Sequence, residues 1–501
     1  MSIILNFIIY PITIIIVSVY CYFWYSYKYW TRKNVPHLEP KFPYGNLRYI
    51  LSKARGYDLE LIELYSEIRK RNWKFGGIWT VANPVLMVTD PEYIKDVLTK
   101  DFSHFIARGM YYKKSDPLGV SLFLVDETKW KNVRTHLTPT FTTGKMKGMF
   151  PLIVEASNAM IEAFNQNVEN KMDIDIREFL AKFTTDVIVS CAFGLEGNSF
   201  TDVNHPFRNA GKLILDKLPL SESIRYSLMN YAPDLCEALE IRSIKTESIE
   251  FFYNIINNTV NHRKKNNITR QDFLQLVINM VEDTKNSDNP FTFEELVANV
   301  NLFFIAGFDT SSAAMNFALY ELARNPDIQE KLRQEIKSTL ENHDNILTYE
   351  AVNNIKYLQQ VMDETLRIYP SVPILQRKCV KDYNLRNTDI IIDKGTYIVI
   401  PIIAIQRDPE YFPEPLKFDP ERFSPENISQ INNKCYLPFG DGPRNCIGLR
   451  FGLMQSKVGL IQILKSYRLS ISPSTKMPLE MDERTFLLKS AETLYLKAER
   501  L

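Results

Sequence analysis

Cys446 is the residue in this sequence whose type and neighbours most directly indicate chemistry. It lies in the stretch Phe439–Gly448, which contains three glycines and places Arg444 two positions before the cysteine. A thiolate is stabilised by nearby positive charge and by a helix N-terminus, and an amphipathic run begins at Leu449. Glycine permits sharp turns and close approach to a flat ligand. We therefore predict that Cys446 is a metal-ligating thiolate, presented by a loop at the start of a helix.

Two other interpretations of Cys446 need to be weighed. Free cysteines are often simply buried in the core, so a core cysteine in a Gly-Pro turn is one alternative. A zinc site is the other, but Cys435 is too distant for a C-x-x-C knuckle and no histidine lies near either cysteine.

A second candidate site lies inside a long predicted helix. Thr292 to Glu295 form a capping box, and the apolar pattern that follows runs to about Arg324, where Asn325-Pro326 stops it. The centre of this helix reads Ala306-Gly307-Phe308-Asp309-Thr310-Ser311. A glycine there costs about 1 kcal/mol relative to alanine, and a buried carboxylate costs more unless it is paired.

Two explanations of this central run remain open. Thr310 could bond back to a carbonyl one turn earlier, with Asp309 paired to a base that the sequence does not identify. Alternatively, the run could form a groove beside the helix, in which an acid and a hydroxyl deliver protons.

Two further patterns place polar side chains on helix faces. Trp130 and Arg134 are four residues apart and so share one face. Glu364 and Arg367 form an E-x-x-R pair, which on an exposed face would contribute only about 0.3–0.5 kcal/mol.

Taken together, these motifs resemble the cytochrome P-450 superfamily. The spacing F-x-x-G-x-R-x-C-x-G matches its haem-binding loop, and the other motifs, including the run 420–423, follow in the family's order. The resemblance implies haem b with Cys446 as the axial ligand of the iron. It implies that Asp309 and Thr310 are catalytic proton carriers and that Arg422 joins Glu364 and Arg367 in a structural triad. The haem-binding residues it implies are Trp130, Arg134, Ala306, Gly307, Arg377, Phe439, Gly442, Arg444, Cys446 and Gly448.

The resemblance also implies a fold and an activity. We expect a mainly α fold with a small β-sheet region, in which a single large catalytic domain follows an N-terminal membrane anchor. The implied reaction is an NADPH- and O2-dependent monooxygenation of apolar small molecules, most similar to that of insect microsomal enzymes that oxidise xenobiotics such as insecticides or plant toxins. The implied electron donors are NADPH-cytochrome P-450 reductase and cytochrome b5. Lys129, Lys131, Lys434 and Arg450 are candidates for the reductase surface or, equally, for an ordinary solvated face.

The first 50 residues indicate how the chain is attached to a membrane. Residues 3–27 carry no charged side chain and are long enough to span a bilayer. Lys28, Arg32 and Lys33 follow, which predicts a single-pass anchor with the body on the cytosolic face. We predict an anchor over 1–30, a proline-rich hinge over 31–50 and a haem-thiolate domain over 51–501, located by resemblance at the endoplasmic reticulum membrane.

Composition and short-range patterns supply the remaining expectations. Sixty basic and 59 acidic residues give a net charge of +1, so the charge balance does not suggest a nucleic-acid partner. The six cysteines are scattered, which is typical of reduced thiols. Residues 75–89 and 389–403 are each predicted to form a strand hairpin, and 183–194 a buried helix that ends at Gly194.

Three rival functions share parts of this sequence pattern. One is a haem-thiolate isomerase or lyase that needs neither O2 nor a reductase. Another is a non-catalytic haem protein that binds a gas or an apolar ligand. The last is a biosynthetic hydroxylase of an endogenous steroid, hormone or fatty acid.

Overall fold

The chain divides into two compact units. The computed structural model describes residues 2–47, 57–113, 115–125, 127–202, 204–215, 225, 228–229, 233–242, 244, 246–482 and 487–501. The first unit comprises Met1–Gly109 and Ile374–Ile405, and the second comprises Met110–Pro373 and Gln406–Leu501. Residues 48–50 of the predicted hinge lie outside the described residues.

Helices make up most of the described chain, with three small sheets, so the predicted mainly α fold is confirmed. The helices are α1 Ser2–Ser26, α2 Tyr29–Arg32, α3 Tyr57–Lys70, α4 Pro91–Lys95, α5 Glu127–Leu137, α6 Thr143–Glu169, α7 Ile176–Ile188, α8 Pro206–Leu215, α9 Pro233–Ala238, α10 Thr246–Asn266, α11 Phe273–Thr284, α12 Phe293–Arg324, α13 Pro326–Glu341, α14 Tyr349–Asn354, α15 Lys356–Ile368, α16 Ile402–Ile405 and α17 Leu449–Leu464. The strands are β1 Phe75–Thr80, β2 Asn83–Val88, β3 Ile174–Asp175, β4 Leu375–Lys378, β5 Tyr383–Asn384, β6 Ile391–Ile392, β7 Tyr397–Ile400, β8 Tyr467–Ile471 and β9 Tyr495–Arg500.

The first unit is built on a four-stranded sheet with the order β1-β2-β7-β4. β1 and β2 form the predicted antiparallel hairpin, and β2 continues into a parallel pair with β7, in which Val85 lies opposite Tyr397. β4 closes the sheet by pairing antiparallel with β7. Both β1 and β2 are largely buried apolar strands, which explains why they can lie inside a sheet.

The predicted hairpin over 389–403 is wrong. β6 pairs with β5 in a separate two-stranded sheet, whereas β7 belongs to the four-stranded sheet. Gly395 has a φ of +97°, and its N–H donates to the carbonyl of Cys379 (2.7 Å). The turn therefore directs β7 away from β6. Alternating apolar residues indicate a strand but do not identify its partner.

The segment after the N-terminal helix is fixed to the first unit's sheet. α1 contains the apolar span Ile9–Ser26, long enough to cross a bilayer. Beyond it, Trp30 is fully buried and its indole N–H donates to the carbonyl of Ile78 (3.1 Å). A Cβ on Gly77 would lie 2.4 Å from the Trp30 ring, so only glycine allows this contact. The predicted hinge therefore begins in contact with β1, where Gly77 N donates to the Pro36 carbonyl (2.8 Å).

The second unit is organised around α12, which has 32 residues and is about 48 Å long at a rise of about 1.5 Å per residue. Its start has the predicted capping box between Thr292 and Glu295. α7, α15 and α17 pack against it. α7 continues through a π turn over Val189–Phe193 to Gly194, whose φ of +67° ends the helix as predicted. A three-stranded sheet, β3-β9-β8, completes the unit.

Candidate functional site

The cysteine loop has the local structure that its glycines and arginine predict. Gly440 and Gly442 have φ angles of +69° and +72°, a region that favours glycine. The backbone N–H of Cys446 donates to the carbonyl of Phe439 (2.8 Å), which closes the loop. α17 begins at Leu449, so Cys446 lies just before a helix N-terminus. Cys446 is exposed, whereas Cys435 is buried.

Two arginines connect this loop to α5 and to the segment before it. Arg134 donates from Nη1 to the Asn445 carbonyl (2.9 Å) and from Nη2 to Asn445 Oδ1 (2.8 Å). Arg444 is buried, donates to the Val125 carbonyl (2.9 Å), and lies over the Trp130 ring with Cζ 4.9 Å from the centroid. The structure thus brings the three predicted propionate-binding residues of the second unit to one loop.

The electrostatics of Arg134 reflect this position. Burial lowers the pKa of its guanidinium, and the nearby Cys446 acts in the opposite direction. A guanidinium close to a cysteine favours the thiolate, as a metal ligand requires.

The centre of α12 presents one gap in an otherwise buried helix. Between Glu295 and Ala323, all of which are described, Ala306 is the one exposed residue. Thr310 Oγ1 donates to the Ala306 carbonyl (2.7 Å). Gln455 on α17 donates from Nε2 to the Gly307 carbonyl (2.7 Å) and lies 2.6 Å from Ser311 Oγ. Gln455 therefore ties this part of α12 to the helix that follows the cysteine loop, a contact that the sequence did not predict.

Gly307 also has a packing reason to be glycine. A Cβ at this position would lie 2.5 Å from Cδ1 of Ile188 on α7. The close approach of α7 and α12 therefore depends on Gly307, whatever else the residue does beside a ligand.

Asp309 has a partner that the sequence analysis missed. Its Oδ2 lies 2.6 Å from Nζ of Lys489, and both residues are buried. The bond from Thr310 to Ala306 and this ion pair correspond to the first of the two explanations left open for the run 306–311. A lone lysine next to the apolar pair Leu487-Leu488 was the available sequence signal, but nothing in the sequence links it to Asp309.

The E-x-x-R pair is a buried network. Glu364 and Arg367 are both fully buried and make two hydrogen bonds of 2.7 and 2.8 Å. Arg422 Nε donates to Glu364 Oε1 (3.3 Å), so the implied triad is observed. Burial raises the pKa of Glu364, whereas Arg367 opposes this shift.

Gln406 connects this network to the cysteine loop. Its Nε2 donates to the carbonyls of Leu366 (3.0 Å) and Arg367 (2.9 Å), and its Oε1 accepts from the N–H of Leu437 (2.7 Å). The triad is therefore positioned to support the start of the loop, which agrees with a structural role.

Arg377 lies on β4 in the first unit. It is 1% exposed, and its Nη1 donates to the Gln376 carbonyl (2.9 Å). Its Nε and Nη2 have no hydrogen-bond partner among the described residues. Burial lowers the pKa of Arg377 to about 10.

These residues fit the haem that the resemblance implies. A buried arginine with unused donors is suited to a carboxylate such as a propionate. Cys446 offers a sulfur outside the core. A Cβ on Gly448 would meet no atom within 4 Å, and Ala306 leaves α12 uncovered at one point. Phe439 is half-buried in the same loop. Within the second unit, the sulfur of Cys446 suits a metal that accepts one thiolate, and the guanidinium groups of Arg134 and Arg444 suit an anionic group.

Comparison with known proteins finds similarity over nearly the whole chain. The family model described as Cytochrome P450 matches residues 40–497. The chain is 38% identical over 507 residues to cytochrome P450 6a2 of Drosophila melanogaster, across 99% of this chain and 100% of that protein. It is 40% identical over 478 residues to the probable cytochrome P450 6a13 of the same species, across 95% of each. It is 39% identical over 486 residues to cytochrome P450 6A1 of Musca domestica, across 95% and 94%.

Proposed function

Because the chain belongs to the cytochrome P450 family, we propose that it is an NADPH- and O2-dependent monooxygenase that inserts one oxygen atom into apolar small molecules. What supports this most is the cysteine loop, where the exposed Cys446 lies beside the guanidinium of Arg134. Such a setting suits a thiolate ligand and not a core cysteine.

The haem-binding roles follow from the chemistry of each side chain. Cys446 would ligate the iron. Arg444 and Arg134, with Trp130 beside them, would bind propionate, and so would Arg377 of the first unit, because a planar guanidinium matches a carboxylate. Backbone at Gly442 and Gly448 would lie against the porphyrin together with Phe439, Ala306 and Gly307.

The catalytic roles belong to the centre of α12. When bound, the haem supplies oxygen activation, and thiolate ligation favours O–O cleavage. Asp309 and Thr310 would bring protons to the oxygen, because the carboxylate and the hydroxyl are adjacent in the chain next to the exposed Ala306.

The proposed location is the endoplasmic reticulum membrane. α1 would cross the bilayer once as the anchor over 1–30, followed by the hinge over 31–50 and the catalytic domain over 51–501. Lys28, Arg32 and Lys33 favour the cytosolic face for that domain. The apolar span in α1 supports this arrangement.

The proposed redox partners are NADPH-cytochrome P-450 reductase and cytochrome b5. Lys131 and Arg450 are exposed, and Lys129 lies 3.7 Å from Glu295. With Lys434, they could attract an acidic partner surface. The proposed substrates are xenobiotics, because the sequence motifs resemble those of insect microsomal enzymes and the similar proteins are from insects.

Turnover with purified reductase tests the proposal. The full-length protein is incubated with reductase, O2 and an alkoxycoumarin that becomes fluorescent on dealkylation, and oxidised product is measured with and without NADPH. We expect product only with NADPH and reductase. Peroxide rearrangement that needs neither would indicate an isomerase or lyase. A reduced protein that binds CO but supports no NADPH oxidation would indicate a non-catalytic haem protein.

A further inference from the structure

The ion pair between Asp309 and Lys489 joins two distant parts of the chain inside the second unit. Asp309 Oδ2 and Lys489 Nζ are 2.6 Å apart, and their side chains are only 10% and 3% exposed. Lys489 lies in the connection between β8 and β9. At this depth an ammonium and a carboxylate attract each other far more strongly than they would in water.

A second attachment holds the same connection next to α12. The N–H of Leu488 donates to the carbonyl of Ser371 (3.0 Å), and Ser371 Oγ donates to the carbonyl of Thr310 (3.2 Å). The residues on either side of one peptide bond, Leu488 and Lys489, are thus linked to Thr310 and to Asp309. The connection is therefore fixed against the two proposed proton carriers together.

Stability alone does not explain a buried ion pair at this place. The loss of hydration is large for both ions, and well-packed apolar residues often stabilise a protein as well or better. What an ion pair adds is a defined position for the carboxylate. A buried carboxylate without a cation would be expected to take up a proton or to turn away.

We propose that Lys489 is a positioning residue for proton delivery, whose ammonium holds the Asp309 carboxylate in place next to Thr310 in the chain. The inference rests on the proposed function, in which Asp309 and Thr310 carry protons. In each cycle the carboxylate accepts one proton from water and passes one on to the Thr310 side, so that it ends ionised again. Lys489 keeps its proton throughout, and no electron moves in this step.

Removing the ammonium tests the role in turnover without needing a known substrate. Full-length, haem-loaded Lys489→Met and Lys489→Arg are compared with the wild type in substrate-free NADPH oxidation, with reductase in excess, in H2O and in D2O. Because positioned proton transfer contributes at least about 100-fold in many enzymes, we expect Lys489→Met to slow oxidation per haem by roughly tenfold or more. Its solvent isotope effect should rise, and Lys489→Arg should stay near the wild type.

An unfolding cycle measures the pair without any turnover. The midpoints of thermal unfolding are compared for Lys489→Met, Asp309→Asn and the double variant. Each single variant should unfold several degrees lower, because it leaves one buried group without its partner. The decrease in the unfolding midpoint of the double variant should be smaller than the sum of the decreases in the two single variants.

The matched control is Arg263→Met, which removes a cation from another buried ion pair, with Asp272 (2.5 Å). We expect it to lower the unfolding midpoint while the isotope effect stays unchanged. If Lys489→Met behaves like this control, with oxidation per haem and isotope effect as in the wild type, the pair is structural only and the inference is overturned. If the wild type with reductase oxidises NADPH no faster than reductase alone, the proposed function is wrong. The inference, which rests on that function, is then wrong as well.

Discussion

At the scale of single residues, the cysteine loop and the ion pair between Asp309 and Lys489 differ in how far apart their members lie in the sequence. Cys446, Arg444 and the glycines lie within one short stretch, so their spacing alone fixes the local backbone. Lys489 and Asp309 meet only through the tertiary fold. No pattern along the chain indicates such a contact, so the sequence alone does not identify the base that pairs with Asp309.

Arg377 leads to a prediction that separates folding from haem binding. Its guanidinium is buried with two donor atoms unused among the described residues, and an uncompensated buried charge is costly. Arg377→Met should therefore stabilise the haem-free protein by about 1–3 kcal/mol while weakening haem retention. Urea unfolding of the haem-free protein and haem transfer to apomyoglobin measure the two effects.

The neighbouring Lys378→Met is the matched control, because Lys378 is only half-buried. Lys378→Met should change neither the stability of the haem-free protein nor the rate of haem transfer by much. If Arg377→Met destabilised the haem-free protein and left haem transfer unchanged, Arg377 would have a structural role and no role in binding propionate.

At the scale of elements, local stop and start signals were the most reliable part of the sequence. The capping box at Thr292 and the Asn325-Pro326 step set the bounds of α12 as predicted. Strand pairing was harder to predict, because β6 has only two residues and β7 only four, and their partners lie elsewhere in the chain. A short apolar strand contains too little information to select one partner.

The packing of α7 against α12 gives a prediction at this scale. Gly307→Ala adds a methyl group that would meet Ile188 Cδ1 at 2.5 Å. Overpacking costs about 1–3 kcal/mol, and alanine recovers about 1 kcal/mol in helix propensity, so we expect a net loss of up to about 2 kcal/mol. Chemical unfolding measures it.

The cause is tested by combining Gly307→Ala with Ile188→Val, which removes the clashing carbon. The free energy of unfolding of the double variant should fall by less than the sum of the decreases in the two single variants. Gly144→Ala on α6 is the control, because its Cβ would meet nothing within 4 Å, and it should be neutral or stabilising. Strict additivity of Gly307→Ala and Ile188→Val would contradict the packing account.

At the scale of the whole molecule, the sequence predicted an anchor followed by a folded body, but not the division into two units. The first unit takes Ile374–Ile405 from late in the chain to complete its sheet. This depends on the parallel pairing of β2 with β7, which joins residues far apart in sequence. Long-range pairing of this kind leaves no local pattern.

The N-terminal segment gives a prediction about truncation. Trp79 Nε1 donates to the Ser26 carbonyl (3.1 Å), and Trp30 is fully buried. Deletion of residues 2–25 should therefore release the protein from the membrane fraction while leaving its unfolding midpoint nearly unchanged. Deletion of residues 2–33 also removes Trp30 and should cost about 3–5 kcal/mol of stability. Equal stability of the two truncated proteins would show that Trp30 packing is unimportant.

The central claim is that Cys446 provides the thiolate ligand of a haem iron. The most direct measurement is the absorbance difference spectrum of the reduced protein with and without CO, recorded for the wild type and for Cys446→Ser. The wild type should give the long-wavelength Soret band that thiolate ligation produces, and Cys446→Ser should lose that band even where haem is retained. A Cys446→Ser protein with bound haem and an unchanged spectrum would contradict the account.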